Sequence, residues 1–429
     1  MPHLPRSGFL RLLPWLLLAL GLATAVHAAP APFDPLVETQ KYLSTLPAEA
    51  RAKSDAYFEG GYWMLLGELI VTLLATWIFF KFGWVQKIRD LAERRFKNRF
   101  LQGVLFVVLL LVVNALLTLP WDFYQGFVRE HQYGLSNLSA AGWFGEHLKG
   151  LLVALVFISP VVALLYAGIR RCGNRWWIVA AVATPFFMFL GLVISPVFIS
   201  PLFNTYKNLE NPVVLQPILS LARANGVPTE NVYEFDASKQ SKRVSANVSG
   251  AFGTIRVSLN DNLLNRCSPA EVQAVMGHEL GHYVLNHVYK LVVYFSVLYV
   301  AAFAFTHWFF GVVSRRWGAA WGVRGIEDFA GLPLLLAGLA VFMTLATPVR
   351  NSIVRTTEAE ADIFGLNAAR QPDGFASTAL KLSEYRKLAP GKWEEIFFFD
   401  HPSGYNRILM AMRWKAEHLG EAQLSTTGP

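Results

Sequence analysis

The 429-residue sequence has only two cysteines, Cys172 and Cys267, and neither lies in a C-x-x-C pair. This excludes a disulfide framework and a thiolate metal cage. A catalytic thiol is disfavoured too, because Cys172 sits in a basic loop and Cys267 just precedes a helix start. Charge is equally scarce: 16% of residues are Asp, Glu, Lys or Arg, 54% are hydrophobic, and the mean hydropathy is +0.36. Such a balance falls outside the range of soluble globular domains and indicates a membrane protein. The net charge of +8 does not point to nucleic acid, because the basic residues gather in short loops beside apolar runs. That is the membrane pattern. Internal repeats and low-complexity tracts are also lacking.

What is present is a series of long apolar runs. Residues 1–28 read as a signal peptide, with Arg6 and Arg11 before apolar Leu12 to Thr24 and small residues near Ala28. Cleavage there is preferred to retention as a first transmembrane helix. An exported segment is expected over 29–60, four transmembrane helices within 61–200 and a soluble insert over 201–287. Two more transmembrane helices follow within 288–349, then a C-terminal helical part over 350–429. Glu68 interrupts the first span, and an ionisable group at that depth is expected to face a bundle interior or a water-filled cavity. Within the insert, Asn231 to Phe235 and Thr254 to Leu259 read as strands of a small sheet.

The short loops set the topology. Lys81 to Arg99, Arg170 to Arg175 and Arg315 to Arg324 are rich in Lys and Arg, and alternation of the spans places all three on one side. That side is expected to be cytoplasmic. The insert and the C-terminal part then lie on the opposite, periplasmic face of a bacterial inner membrane.

Chemistry concentrates in SPAEVQAVMGHELGHYVLNH, residues 268–287. Ser268 as N-cap, Pro269 at the first helical position and Glu271 completing a capping box predict a helix start. His278 and His282, four apart, project from one face and can share one metal ion, and Glu279 between them can take a proton from a metal-bound water. Gly277 and Gly281 are costly inside a helix and imply close approach of another backbone or a substrate. A catalytic zinc ion normally has three protein ligands, so one more is required. VRTTEAEADIFGLNAAR, residues 354–370, offers it: Glu358 and Asp362 share a helix face. Glu358 could be the third ligand, and Asp362 could accept the outer N–H of a zinc-bound histidine. Without the HExxH, the same residues would read as a solvated acidic face with Arg355 as intrahelical partner. Glu360 points elsewhere. Helical spacing turns His287 away from the metal face, so it is expected, like His131, to be structural.

These motifs are similar to those of the Ste24-like membrane metalloproteases of the M48 group, whose eukaryotic members are the type I CAAX prenyl proteases. HELGHYVLNH at 278–287, RTTEAEAD at 355–362 and HPSGYNR at 401–407 carry the resemblance, with weaker likeness at 119–128, 195–204 and 235–250. The resemblance implies one Zn²⁺ on His278, His282 and Glu358, Glu279 as general base and Asp362 as orienting carboxylate. His401 and Arg407 would stabilise the oxyanion or position the substrate carbonyl. It also implies spans around a water-filled chamber. Where many relatives have Asn-Ala and an aromatic on a substrate-pairing strand, this chain has Ser245, Ala246 and Asn247, so no substrate-edge residue is carried over.

The expected fold is mainly α, a polytopic helical membrane protein with a small α/β zinc-metalloprotease insert of gluzincin type. The expected function is peptide-bond hydrolysis in processing or quality control of membrane or exported proteins, with a peptide or protein substrate, the lipid bilayer as environment and no nucleic acid. CAAX-type C-terminal processing is one alternative. The other is a non-catalytic scaffold in which zinc clips two segments together.

Overall fold

The computed structural model describes residues 33–249 and 255–419. The expected signal peptide lies outside the described residues. Helix α1, Pro35–Ser44, starts on an Asp34 cap with proline in its first turn. Helix α2, Ala48–Lys81, is the first long apolar rod, and α3, Trp84–Arg95, follows a left-handed Gly83. Helix α4, Arg99–Phe123, opens on an Asn98 cap and runs through Pro120 into a wide π turn at Tyr124–Arg129. Helices α5, Ala140–Cys172, and α6, Trp176–Ile194, come next.

Among the described residues, four helical stretches are long and apolar enough to cross a bilayer: Ala48–Lys81, Arg99–Gln132, Ala140–Phe203 and His287–Trp317. A fifth forms if Phe329–Leu345 and Thr347–Ala369, bent by 59° at their junction, count as one. As one rod, the 64 residues of Ala140–Phe203 would reach roughly 96 Å, about three bilayer cores. Instead the chain reverses at Gly173, at φ 51°, and the Lys149 ammonium near one end donates to the Leu202 carbonyl near the other. Helices α5 and α6 are therefore a hairpin.

A four-stranded sheet follows, built from β1, Tyr206–Asn208, β2, Val232–Phe235, β3, Ala246–Ser249, and β4, Arg256–Asn260. Its order is β1-β2-β4-β3, parallel only between β2 and β4. Helix α7, Pro212–Ala224, crosses between β1 and β2. Strands β2 and β4 fall on the two runs read from sequence. By contrast, β1 and β3, with sequences YKN and ANVS, lack a strand-like apolar run of their own and pair at the two edges of the sheet. Helix α8, Pro269–Val284, carries the HExxH motif, and α9, His287–Trp317, leads away from it. Helix α10, Leu332–Leu345, leads to the bend, and α11, Thr347–Ala369, returns against α8. Helices α12, Pro372–Leu382, α13, Lys392–Phe398, and α14, Gly404–Glu417, complete the chain, with α1 seated on α14.

The basic loops meet at one end of the bundle. Arg89 donates to Asp328 at 2.7 Å and to the Gly322 carbonyl at 2.8 Å, Arg324 reaches Glu93 at 2.8 Å, and Arg170 lies over the Phe329 ring. The buried core of the bundle, around Phe79, Phe106, Tyr166 and Phe329, comes from the helix ends nearest these loops. Helix α9 spans the distance from this end to the HExxH helix. At the far end, two smaller cores flank α8, one around Leu366, Phe375 and Ile408 and one around Val257, Leu259 and Met276. At this end, α2 and the π turn that follows α4 line cavities. Glu68 is exposed and accepts hydrogen bonds from the Trp121 indole at 2.8 Å and from Gln125 at 3.1 Å.

The Arg89–Asp328 pair is buried on both sides, whereas the Arg324 side chain is 55% exposed. Asp328→Ala leaves the buried Arg89 with only the half-exposed Asp90 and the Gly322 carbonyl, removes the acceptor for the Arg324 and Ala330 N–H groups, and is expected to cost about 1–3 kcal/mol. Arg324→Ala should cost under about 1 kcal/mol. Thermal unfolding of the two variants in detergent checks the contrast.

Candidate metal centre

The sequence-predicted start of α8 is present: the Ser268 hydroxyl accepts from Glu271 N–H, the Glu271 carboxylate accepts from Ser268 N–H at 2.6 Å, and Pro269 opens the helix. Lys381 of α12 pairs with the same carboxylate at 2.7 Å, which fixes the helix start to its neighbour.

Helix α11 lies against α8 closely enough that side chains are excluded between them. A Cβ on Gly277 would stand 2.9 Å from the Gly365 carbonyl oxygen, and one on Gly365 would stand 2.7 Å from the His278 nitrogen. A Cβ on Gly281 would come within 3.2 Å of the Ala361 backbone. The glycines of the motif therefore serve a helix–helix contact. That contact sets Glu358 opposite the histidines.

His278 and His282 present their Nε2 atoms 3.1 Å apart with the rings nearly perpendicular, at 83°. Glu358 Oε2 is 3.2 Å from His278 Nε2, and Oε1 is 3.6 Å from His282 Nε2. One ligand atom from each residue lies within 4.8 Å of the others. Glu358 Oε2 is buried without a satisfied hydrogen bond, although imidazole nitrogens of His278 and His401 stand 3.2 and 3.1 Å away. Two imidazole nitrogens and an unsatisfied carboxylate oxygen aimed at one point fit a divalent cation that accepts nitrogen and oxygen donors.

The outer partners are equally defined. His278 Nδ1 donates to Asp362 Oδ1 at 2.7 Å, which leaves Nε2 as a free lone pair. Arg407 holds the same carboxylate through Nε at 2.9 Å and Nη2 at 2.5 Å. His282 Nδ1 meets His287 Nδ1 at 2.9 Å, and His287 Nε2 meets Glu360 at 2.9 Å, a carboxylate shared with Lys290. His401 binds Asp400 through Nδ1 at 2.8 Å.

Glu279 shares a cavity of about 210 Å³ with His278, Arg386, His401 and Arg407, walled on one side by Val244, Ser245 and Ala246 beside edge strand β3. Burial pushes its carboxyl up to about 7; the neighbouring Glu358 carboxylate adds to the rise and the Arg407 guanidinium opposes it.

Two expectations change, those for His287 and Glu360. His287 is not turned away: α8 ends at Val284 and Asn286 adopts a left-handed φ of 56°, so the helical spacing stops before it. Asparagine after a run of helix is a known left-handed terminator, and this was the signal available in the sequence. Glu360, set aside with it, completes that branch. Arg355 is no partner of Glu358, because it donates to the Glu395 and Phe399 carbonyls. His131, by contrast, only bonds the Phe127 carbonyl one turn away. Arg386 was not singled out at all, since nothing local marks a lone arginine between helices.

A membrane-spanning helical fold with an HExxH helix and convergent His-His-Glu donors defines a membrane metalloprotease. Residues 37–205 match the CAAX prenyl protease N-terminal family, described as five membrane helices, and residues 208–415 match peptidase family M48. The chain belongs to family M48. It is 31% identical over 332 residues to the uncharacterized metalloprotease YhfN of Bacillus subtilis, covering 77% of this chain and 78% of that one. It is 26% identical over 387 residues to the CAAX prenyl protease 1 homolog of Oryza sativa, covering 85% and 88%. The crystal structure of S. mikatae Ste24p shares the fold with a TM-score of 0.71 at 23% identity, over 86% of this chain and 90% of that one.

A valine at Gly365 would drive the two helices apart. Gly365→Val is expected to destabilise by about 1–3 kcal/mol and to lower bound metal, read as Tm and as metal content by mass spectrometry.

Proposed function

We propose that the protein is a zinc-dependent endopeptidase of the bacterial inner membrane that cuts membrane or exported proteins on the periplasmic side. The observation that carries this is the convergence of three donor atoms within 4.8 Å, with Glu279 in the adjoining cavity. His278, His282 and Glu358 hold one Zn²⁺; two imidazoles and a carboxylate suit that ion. When bound, zinc acidifies a water and polarises the scissile carbonyl. Glu279 takes the proton from the attacking water and passes it to the departing amine, a task matched to a carboxyl whose surroundings raise it towards neutrality. Asp362, clamped by Arg407, fixes the His278 ring and tautomer, and His287 with Glu360 does the same for His282. His401 stands beside Glu358 and provides a donor for the charge that develops on the carbonyl oxygen. Arg407 also lines the cavity. Strand β3 is a sheet edge above that cavity, so a substrate in extended form can add to it and be held by its backbone.

The gathering of the basic loops at the end opposite the metal centre supports the orientation. Among the described residues three donors converge, which supports a catalytic zinc over a structural clip, since clips use four protein ligands. CAAX-type processing is favoured by the names of eukaryotic relatives and of the N-terminal family that the chain matches.

Glu279→Gln should keep its zinc and lose proteolysis of unstructured, non-lipidated peptides by at least about 10²-fold. His278→Ala should lose both. Full cleavage by Glu279→Gln sinks the assignment, and cleavage of prenylated peptides alone favours CAAX-type processing. A reporter active only after export, fused at Pro429, should be active; an inactive one places the site in the cytoplasm.

A further inference from the structure

The geometry points to a second recognition element beside the metal centre: a cavity in which Arg350 and Arg386 bind a carboxylate of the peptide substrate. The inference rests on the peptidase reading given above.

A cavity of about 540 Å³ lies between α2, the start of α11 and the segment joining α12 to α14. Arg129, Arg243, Arg350 and Arg386 line it, against a single acidic side chain, Asp400. Two of these arginines are committed. Arg129 donates to the Tyr57 carbonyl and stacks over the Tyr57 ring at 4.1 Å. Arg243 pairs with Glu130 and bonds the Tyr57 hydroxyl, both at 2.8 Å. Asp400 is turned to His401.

The other two are open. Arg386 makes one side-chain hydrogen-bond contact among the described residues, with His401 Nε2 at 3.5 Å, and its charge reaches Asp400 across the cavity without an ion pair. Arg350 is a half-buried residue whose guanidinium makes no ion pair or hydrogen bond among the described residues. Arg350 stands in the first turn of α11, where the helix dipole disfavours a cation, so helix stability does not account for it. A guanidinium that lines a cavity without a partner is free to take one, and the partner its planar fork fits is a carboxylate.

The cavity is placed for substrate. Arg386 also lines the space that holds Glu279, and contacts of 3.1 and 3.5 Å lead from Glu358 through His401 to Arg386. An extended peptide advances about 3.3 Å per residue. A carboxylate on Arg386 therefore lies only a few residues from the scissile bond, and Arg350 lines the same cavity. It can be the terminal carboxylate of the chain or the side chain of an aspartate or glutamate.

The test uses the zinc-loaded full chain and one unmodified fluorogenic peptide in four forms: free C-terminal acid or C-terminal amide, each with Glu or Gln near the cut. One acidic form should have a kcat/KM roughly 10- to 100-fold above its neutral counterpart. Loss on amidation identifies the terminal carboxylate as the ligand, and loss on Glu→Gln exchange in the peptide identifies the side chain. Arg350→Glu in the protein should bring the ratio to one or invert it. Equal cleavage of all four forms by the unmodified protein overturns the proposal. So does a preference that survives in both Arg350→Glu and Arg386→Glu. Binding of labelled peptides to full-length Glu279→Gln, followed by fluorescence anisotropy, reads the same preference without turnover; acid and neutral forms bound equally also overturn it. If no peptide is cut by the unmodified protein, the peptidase reading fails, while the binding difference still decides this inference.

Discussion

The structure depends on the backbone-to-backbone contact between the HExxH helix and the helix after the last span. Gly277, Gly281 and Gly365 leave no room for side chains at that seam. Two histidines from one segment and a glutamate from another can share a focus only if their helices approach this closely. Each glycine costs helix stability, about 1 kcal/mol relative to alanine. What offsets this is the packing of the two helices on each other and the apolar clusters that flank them, around Leu366 and Phe375 on one side and Leu259 and Met276 on the other.

Around that focus the charges form two branches. One runs from His278 through Asp362 to Arg407, the other from His282 through His287 to Glu360 and Lys290. Each fixes the orientation of an imidazole whose free edge faces Glu358. The elements that supply the branches are α8, α9, α11 and α14, so both ends of the catalytic part and the start of a membrane span converge on one site. Orientation of the ligands is thereby tied to the integrity of the whole far end of the molecule.

The bundle divides its labour along its length. Its buried core and its ionic clamp, Arg89 with Asp328, lie at the basic end. At the other end α2 and the π turn after α4 line cavities beside the metal centre. An arrangement closed at one end and hollow at the other suits an enzyme that must bring a peptide and water to a site at the membrane edge.

Much of this was legible in the linear chain. Composition and apolar runs determined that the protein spans a membrane, since no soluble core absorbs so many uncharged residues. The capping box and the four-residue spacing of His278 and His282 determined their shared face, because both are local properties of a helix. Even Glu358 and Asp362 were readable as a facing pair for the same reason. Tertiary structure alone decided the rest. His287 joins the site because a left-handed Asn286 breaks the periodicity that seemed to turn it away. Strands β1 and β3 lack a strand-like apolar run of their own and pair at the two edges of the sheet. Arg407 finds Asp362 across 45 residues, and Arg386 and Arg350 meet in one cavity although nothing in their neighbourhoods marks them. Spacing along one element is written in the sequence, whereas contact between elements is set by packing, which acts on the folded chain as a whole.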